Sequence, residues 1–392
     1  MNSITKSDSE KSVDNGLAIE YRQKQFCDTL VQKFLQLSEE RNPNSRRGGG
    51  RGVGSGLREA TNIVERWILS LQQADAVSDG GCSTKMDKQL PLFPIGMRSD
   101  DQKTKLLASD AYDKGFCRLR RSATNLAIGM LAEVERFRRS CHDSEKCLEQ
   151  PAIELRMLDE DRGCIRVGHE FQSSASRRLP YLAQRFGLAA TARMLLRYES
   201  LGSGSYQWGD PLSVHRVYYR DFGARYEGFS SPLNSRFLGL DEAGFCSLFP
   251  DTDSVFGSLG NFFNIDLTRR TGGWSVNPPF IESVLEEAAR RVTDCLDRGT
   301  PSWFFMNFPD WRDSPGWSML DSSPHKLARF DFSPGEFLIQ DAYGRASRPK
   351  MKLSIFALGR LPHGSPPIER LRDAVFKARP VDLAEEWTAA TF

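Results

Sequence analysis

The sequence predicts a fold of the α/β class, in which a helical domain precedes a domain of alternating strands and helices. Three observations predict it. Apolar residues recur at helical spacing through much of the first half of the chain. From about Arg216 onward, short apolar runs end in turn residues and alternate with helical segments. The chain has 392 residues, which is enough for two or three domains. Alternating strands and helices are typical of a sheet covered on both faces.

Three segments follow from this pattern. Residues 1–56 are expected to be a disordered or partly helical N-terminal segment that ends in an Arg/Gly-rich linker at 46–56. That linker either only separates domains or touches RNA phosphates electrostatically. Residues 57–205 are expected to form the helical domain, with helices over 57–74, 110–139 and 179–201 and two short strands at 153–167. Residues 206–392 are expected to form the α/β domain. Its expected strands cover 226–230, 245–249, 262–267, 303–308, 337–341 and 353–358, with a further short strand at the Asn277 loop. A helix is expected from 281 to 296.

Composition and charge exclude several classes of protein. No run approaches the ~20 apolar residues of a membrane span, and residues 1–15 lack the apolar core of a secretory signal. The eight cysteines include no Cys-x-x-Cys, and the five histidines show no metal-ligand spacing, so we expect no metal site, no disulfide framework and a reducing compartment. Because the net charge is only +2, any nucleic-acid contact must use a local patch.

The most informative motif is Asn277-Pro278-Pro279-Phe280, between a polar stretch and an amphipathic helix. The Asn side-chain oxygen and the first Pro carbonyl can each accept one N–H of an exocyclic nucleobase amine, which concentrates lone-pair density on the nitrogen. The prolines fix the backbone in advance, and the aromatic ring stacks on a flipped base. The motif therefore predicts methyl transfer to a nucleobase amine, with S-adenosylmethionine (S-adenosyl-L-methionine) as the methyl donor and no metal.

Two earlier strand ends supply the expected cofactor residues. In a doubly wound methyltransferase, a loop after the first strand contacts the cofactor, and a carboxylate after the second takes the ribose hydroxyls. Here the first loop contains Ser231, Pro232 and Asn234, and the second contains Asp251 and Asp253, of which Asp251 is favoured. Since ligands bind beyond the carboxyl ends of such strands, these loops and the Asn277 loop are expected to converge on one crevice.

Two further segments are candidates for substrate contact. Trp311 beside Arg312, after the strand that follows the motif helix, can stack on a base and pair with a phosphate. Glu282 lies in the first turn of the motif helix, where the helix dipole favours an acid, and it is close enough to Phe280 to touch the substrate.

Several of these segments together resemble the phosphorylated-CTD-interacting-factor family. The resemblance covers roughly residues 195–345 and rests on motifs in the family's order and at similar spacing. The matching motifs are Gln207-Trp208, the run from Arg225 to Asn234, the run from Phe245 to Asp253, Phe256-Gly257-Ser258, Asn277-Pro278-Pro279-Phe280 and Pro309-Asp310-Trp311-Arg312.

The resemblance implies a Rossmann-like S-adenosylmethionine-dependent methyltransferase domain preceded by a helical domain that helps form the substrate groove. It implies transfer of a methyl group to N6 of the 2′-O-methyladenosine beside the 7-methylguanosine cap of mRNA, and a location in the nucleus. Asn277 through Phe280 would hold the amine and the methyl donor. The capped end would contact Phe280, Glu282, Trp311, Arg312, Asp313, Ser314 and Pro315. Weaker candidates for phosphate contact are Arg118, Arg120, Arg121, Arg177 and Arg178.

One departure from the family concerns its WW domain, which in animal members reads phosphorylated polymerase tails. A WW domain needs two tryptophans about twenty residues apart, and Trp67 is the only tryptophan before residue 200. We therefore expect no WW domain and no binding to polymerase tails. Two alternatives to cap methylation stay open. One is an adenine N6-methyltransferase, including a dimethylating one, that acts on internal RNA, DNA or another cap. The other is a non-catalytic RNA-binding scaffold.

Overall fold

The computed structural model describes residues 17–29, 31–32, 151–201 and 207–380. These residues form two compact units. The first comprises the described residues up to 154 together with 166–173 and 187–201, and the second comprises 155–165, 174–186 and 207–380. The predicted linker at 46–56, the predicted helices over 57–74 and 110–139, and Arg118, Arg120 and Arg121 lie outside the described residues. None of the described helices combines the length and apolarity needed to cross a membrane.

Helices α1 (residues 17–29), α2 (Arg178–Phe186) and α3 (Leu188–Glu199) precede the main sheet. The single helix expected over 179–201 is thus two helices, because Gly187 takes a φ of 94°, which ends a right-handed helix. Within the first unit, the buried Arg197 Nε donates to Glu20 Oε2 at 2.8 Å. This pairing joins α3 to α1 and compensates both buried charges.

A small sheet of order β1-β2-β3 consists of β1 (Ile153–Met157), β2 (Gly163–Val167) and β3 (Phe171–Gln172). The prediction of two short strands around a turn at 159–163 is confirmed. The Asp159 side chain forms that turn by accepting the N–H groups of Asp161 and Arg162.

The second unit is built on a six-stranded sheet of order β5-β4-β6-β7-β11-β8. Strands β5, β4, β6 and β7 are parallel, whereas β11 runs antiparallel to both of its neighbours. The predicted α/β class with a mostly parallel central sheet is therefore confirmed. The strands of this unit are β4 (Ala224–Ser230), β5 (Gly244–Ser247), β6 (Gly273–Val276), β7 (Trp303–Pro309), β8 (Lys326–Phe332), β9 (Ile339–Gln340), β10 (Ala346–Ser347) and β11 (Leu353–Gly359).

Helices pack on both faces of this sheet because side chains alternate along its strands. Phe304, Met306 and Phe308 of β7 share one core with buried residues of two of the helices, whereas Phe305 belongs to the core on the opposite face. The helices of the unit that follow α2 are α4 (Leu212–Arg220), α5 (Pro250–Asp253), α6 (Glu282–Asp297), α7 (Pro315–Ser322) and α8 (Glu369–Phe376). The helix predicted from 281 to 296 is confirmed as α6, whose buried stripe includes Val284, Ala288 and Val292.

Two of the predicted strands are wrong, and one strand of the sheet was missed. Residues 262–267 are not a strand but a turn followed by a 3-10 turn, Leu267–Arg269, since Asn261 accepts the N–H of Phe263 and Asp266 accepts that of Thr268. Residues 337–341 supply only the two-residue β9, which pairs with β10 outside the main sheet. Strand β8 was missed because its three charged residues interrupt the apolar pattern, and because it is an edge strand with little burial.

Candidate functional site at the carboxyl ends of the parallel strands

The loops that follow β4, β5, β6 and β7 lie at the same edge of the sheet, because these four strands are parallel. The chain passes from β4 to β5 on one side, and the next strand of the sheet, β6, lies on the other side of β4. The strand order therefore reverses at β4, and open α/β sheets bind ligands outside the carboxyl ends of the strands at such a point. The predicted convergence of the three loops agrees with this topology.

The loop after β4 is closed by hydrogen bonds among its own polar side chains. Asn234 Oδ1 accepts from the Ser231 N–H at 2.8 Å and from the Ser230 hydroxyl at 2.9 Å. The buried Ser231 hydroxyl donates to Gln207 Oε1 at 2.7 Å. Pro232 is buried as well, whereas Asn234 is half-exposed. The loop is thus held in one conformation, and of its predicted cofactor residues Asn234 is the most accessible.

The buried carboxylate of Glu227 accepts hydrogen bonds from the residues that directly follow Asn234 in this loop. Glu227 accepts the Ser235 hydroxyl and the backbone N–H groups of Arg236 and Phe237, at 3.1 and 3.2 Å for the two N–H groups. His215 Nε2 lies 3.3 Å from Oε1 of Glu227. Burial raises the pKa of Glu227, but the hydrogen bonds and the positive charge that His215 can carry outweigh it, so the pKa lies below its ordinary value.

A buried arginine holds the same loop from another side. Arg178 Nε donates to the carbonyl of Pro232 at 2.9 Å, and Nη2 donates to that of Ser235 at 3.0 Å. Its side chain is fully buried, so the prediction that Arg178 contacts substrate phosphate is wrong. The neighbouring Arg177 lies 3.1 Å from a carboxylate oxygen of Asp161. Sequence reasoning missed Glu227 and Arg178 as supports, because their partners are brought to them by folding and show no local spacing in the sequence.

The two aspartates after β5 differ in exposure. Both belong to α5, a single turn that begins at Pro250. Asp253 is fully buried and its Oδ1 accepts the Thr252 hydroxyl at 3.0 Å, whereas Asp251 is exposed. Of the two, Asp251 is therefore the carboxylate that is exposed to solvent.

The Asn277 loop follows β6 directly and leads into α6. Asn277 is half-exposed, and among the described residues its amide has no hydrogen-bond partner. The Pro279 carbonyl accepts the Ile281 N–H at 2.8 Å, but the Pro278 carbonyl accepts from no described residue. Half-buried Phe280 packs against the cores on both faces of the sheet. The two acceptors that the motif predicts, Asn277 Oδ1 and the Pro278 carbonyl, are thus both available.

Sequence reasoning also missed a segment next to this loop. Gly209 pairs with Gln340 through two backbone hydrogen bonds, and a Cβ atom on Gly209 would lie 3.8 Å from Asn277 Nδ2. The buried Asp210 accepts from the Tyr218 hydroxyl at 3.0 Å and from Asn307 Nδ2 at 2.8 Å. The turn signal Gly-Asp-Pro was visible in the sequence, but its position beside Asn277 depends on long-range pairing.

Strand register brings a second asparagine next to Asn277. Val276 of β6 pairs with Met306 of β7, so Asn277 and Asn307 follow at adjacent positions. Asn307 is buried, and its Oδ1 has no hydrogen-bond partner in the described part of the chain. A buried acceptor without a donor is costly, and one at a ligand-binding edge is consistent with a donor brought by a ligand or water.

The loop after β7 has a solvent-facing and a structural part. Trp311 is 37% exposed, and Arg312, Asp313 and Pro315 are also exposed. The Arg312 guanidinium lies 2.8 Å from Asp310 and 3.2 Å from Asp331 in ion pairs, so a substrate phosphate would have to compete with two carboxylates.

Ser314 has a structural role, because its hydroxyl caps α7 by accepting from the Trp317 N–H, and Pro315 is the first residue of that helix. Glu282 is exposed in the first turn of α6. Among the described residues, no group of three or more His, Cys, Asp or Glu side chains is arranged to hold a metal ion.

Comparison with known proteins gives two findings. A family model described as "Phosphorylated CTD interacting factor 1 WW domain" matches residues 175–341. The mRNA (2'-O-methyladenosine-N(6)-)-methyltransferases of Mus musculus and Homo sapiens are 35% and 34% identical to the chain over 129 residues. That alignment covers 31% of this chain and 17% of each relative, so the chain spans about a sixth of the length of the relatives it matches.

The family match corrects the expectation that no WW domain is present. That expectation came from a search for paired tryptophans before residue 200, whereas the matched residues, 175–341, lie almost entirely after it. They contain five of the chain's seven tryptophans, namely Trp208, Trp274, Trp303, Trp311 and Trp317. The argument that excluded polymerase tails as partners is therefore wrong as well.

Proposed function

We propose that the chain is an S-adenosylmethionine-dependent RNA methyltransferase acting on N6 of the 2′-O-methyladenosine next to the cap of mRNA. The observation that carries this proposal is the Asn277 loop. Its two acceptors have no donor among the described residues, and they stand on a proline-fixed backbone at the point of strand reversal. The names of the two mammalian relatives support the choice of adenosine N6 and of mRNA.

We propose a Rossmann-like domain at 206–392. The parallel strands β5, β4, β6 and β7, the reversal at β4 and the helices on both faces support it. A helical domain at 57–205 that helps form the substrate groove is likewise proposed, as is the N-terminal segment 1–56. The described part of 57–205 contains β1 to β3 as well as α2 and α3. The nuclear location stays a prediction.

The residues present fit S-adenosylmethionine. The half-exposed Asn234, together with Ser231 and Pro232, would line the cofactor after β4, and Asp251 would accept from the ribose hydroxyls. Asn277 and Pro278 would border the methyl group. The unpartnered buried Oδ1 of Asn307 supports a polar ligand near this position. When bound, the cofactor supplies an electrophilic methyl group on its sulfonium.

The chain's own residues account for the activation of the amine. Asn277 Oδ1 and the Pro278 carbonyl each accept one N–H of the adenine amine, which directs its lone pair toward the methyl donor. Their fixed position reduces the entropy lost in reaching a reactive geometry. Phe280 stacks on the base, and its packing against both cores keeps the ring in place.

The capped end of the RNA is proposed to contact the exposed residues around this loop. Trp311 offers an aromatic surface for a base, and Glu282 offers a carboxylate beside Phe280. Arg312 and Asp313 would contribute charge, with the phosphate competing for Arg312 as described above. Ser314 and Pro315 would act mainly by fixing the start of α7.

To test the proposal, the protein is incubated with S-adenosylmethionine and with each of two matched RNAs, and the nucleosides of each RNA are then analysed by mass spectrometry. One RNA carries a 7-methylguanosine cap and begins with 2′-O-methyladenosine, and the other is uncapped. A methyl group gained only on the first adenosine of the capped RNA is the expected result, and the product mass distinguishes one added methyl group from two. Equal methylation of both RNAs would move the assignment to internal adenine. If the protein binds the cofactor but methylates neither of the two RNAs, then DNA and RNAs with other caps become the substrates to test. If it does not bind the cofactor, a non-catalytic RNA-binding scaffold is favoured.

A further inference from the structure

Gly209 has no conformational reason to be a glycine. Its φ lies outside the left-handed region, and it forms an isolated β-bridge with Gln340, donating its N–H at 3.1 Å and accepting at 2.9 Å. Such an extended, paired position accepts any L-residue other than proline, and glycine there costs conformational entropy.

Packing gives no reason for a glycine either. Within 4 Å of a Cβ at position 209, the described residues provide a single atom, Asn277 Nδ2 at 3.8 Å, which is an ordinary van der Waals distance. Close backbone approach explains other glycines of this unit. A Cβ on Gly316, for example, would lie 2.9 Å from the Glu286 Cα. A glycine in a paired segment without such an approach is typical of a position where a ligand comes close to the backbone.

The segment around Gly209 is held firmly, so the space that the described residues leave beside it is a fixed feature of the site. Gln207 accepts from Ser231, and Asp210 accepts from Tyr218 and Asn307. The backbone of Gly209 is paired on β9. These contacts connect the segment to four separate parts of the unit, so a larger side chain at position 209 would project into the space beside Asn277 and could not move aside with the chain.

We propose that Gly209 determines substrate specificity, because its missing side chain leaves the space beside Asn277 that the ring of the target adenine occupies. This inference rests on the proposed function and deepens it. Asn277 Oδ1 accepts from the amine, and Nδ2, on the Gly209 side of the amide, is then free to donate to a ring nitrogen of the same base edge. A branched side chain at position 209 would fill this space.

The test is a graded series, Gly209→Ala, Gly209→Val and Gly209→Leu, with steady-state methylation of the capped RNA. Ala should give the smallest rise in KM of the three, because its Cβ makes only an ordinary contact. Val and Leu should raise KM for RNA by about 10-fold to 200-fold, the range for one or two misplaced methyl groups in a pocket. The dissociation constant of S-adenosylhomocysteine, measured by calorimetry, should stay unchanged, which also shows that each variant is folded.

Ala346→Leu is the matched control. Ala346 is exposed on β10 and pairs with Gln340, the residue that also pairs with Gly209. The substitution therefore adds the bulk of a leucine beside β9 but outside the site. Wild-type KM in Gly209→Leu would overturn the inference and leave the proposed function intact. Equal losses in Gly209→Leu and Ala346→Leu would also overturn it, in favour of a general disturbance of β9. A wild-type protein that binds cofactor but methylates no adenine would overturn the proposed function and this inference together.

Discussion

His215 Nε2 lies 3.3 Å from Oε1 of Glu227, and both side chains are buried. The carboxylate also accepts from Ser235, Arg236 and Phe237, at the start of the segment that leads from β4 to β5. One charged group under the crevice thus holds a helix, a strand and a loop together. Its loss should affect both stability and the loop that is proposed to hold the cofactor.

The depressed pKa of Glu227 predicts an acid-dependent loss of stability. A carboxyl whose pKa is lower in the folded state contributes stability above its unfolded pKa, about 4.3 for glutamate, and loses it as pH falls through the folded value. Glu227→Gln should lower the free energy of unfolding at pH 7 by about 1–3 kcal/mol. The difference from wild type should shrink as the pH is lowered below about 4. Urea unfolding across pH measures this. Glu160→Gln, at an exposed carboxylate, is the control, and a pH-independent difference for Glu227→Gln would contradict the prediction.

Asn277→Ala should remove most of the activity without unfolding the protein. The variant loses one of the two acceptors of the amine, and loss of one such preorganised group costs about 10²–10³-fold in kcat. The Asn277 amide makes no hydrogen bond within the described structure, so the melting temperature should not change. Asn264→Ala, at an exposed asparagine that likewise has no side-chain partner, should keep wild-type turnover. Near-normal turnover by folded Asn277→Ala would rule out the proposed role.

Phe280→Leu separates base stacking from core packing. Phe280 contacts both cores, so Phe280→Ala would destabilise the fold as well as weaken binding of the base. Leucine preserves most of the packing at a cost below about 1.5 kcal/mol. Affinity for the RNA should still fall by about 1–3 kcal/mol, because the aromatic face is lost. Binding titrations and thermal unfolding together provide the measurement, and unchanged RNA affinity in Phe280→Leu would contradict a stacking role.

Trp311→Ala should weaken capped RNA binding by about 1–3 kcal/mol and leave stability nearly unchanged, since the ring is 37% exposed. Leu327, which is 45% exposed on β8, provides the control substitution Leu327→Ala, which should bind RNA as wild type does. Competition with a 7-methylguanosine cap analogue measures the effect on the capped end. If the cap analogue competes for Trp311→Ala as it does for the wild type, Trp311 does not contact the capped end.

Arg178→Met should destabilise the fold and weaken cofactor binding. The change removes two donors from the Pro232 and Ser235 carbonyls, and each hydrogen bond from a charged group contributes about 1.5–3 kcal/mol. KM for S-adenosylmethionine should rise more than kcat falls, because the loop is loosened but the Asn277 acceptors are retained. Arg177→Met alters the adjacent arginine and should change the cofactor KM little. A loss of stability with no change in that KM would limit Arg178 to a structural role.

Local pattern in the sequence predicted the Asn277 loop, the helix α6 and the central strands. The Asn-Pro-Pro-Phe backbone is fixed by its own prolines, and α6 is specified by apolar residues spaced one turn apart. The strands β5 and β7 consist mostly of apolar residues and are followed by turn residues. These features depend on neighbours within a few residues, so the sequence alone determines them.

Only the tertiary structure decided which distant groups support and border the site. The long-range pairing of Gly209 with Gln340 brings residue 209 beside Asn277, and β6–β7 register puts Asn307 there. The sequence predicts Arg178 as a phosphate ligand, but in the structure Arg178 is buried and donates to a backbone carbonyl of the loop after β4. Hydrogen bonds between groups far apart in the chain leave no periodic trace, because their partners are chosen by the packing of whole elements rather than by local spacing.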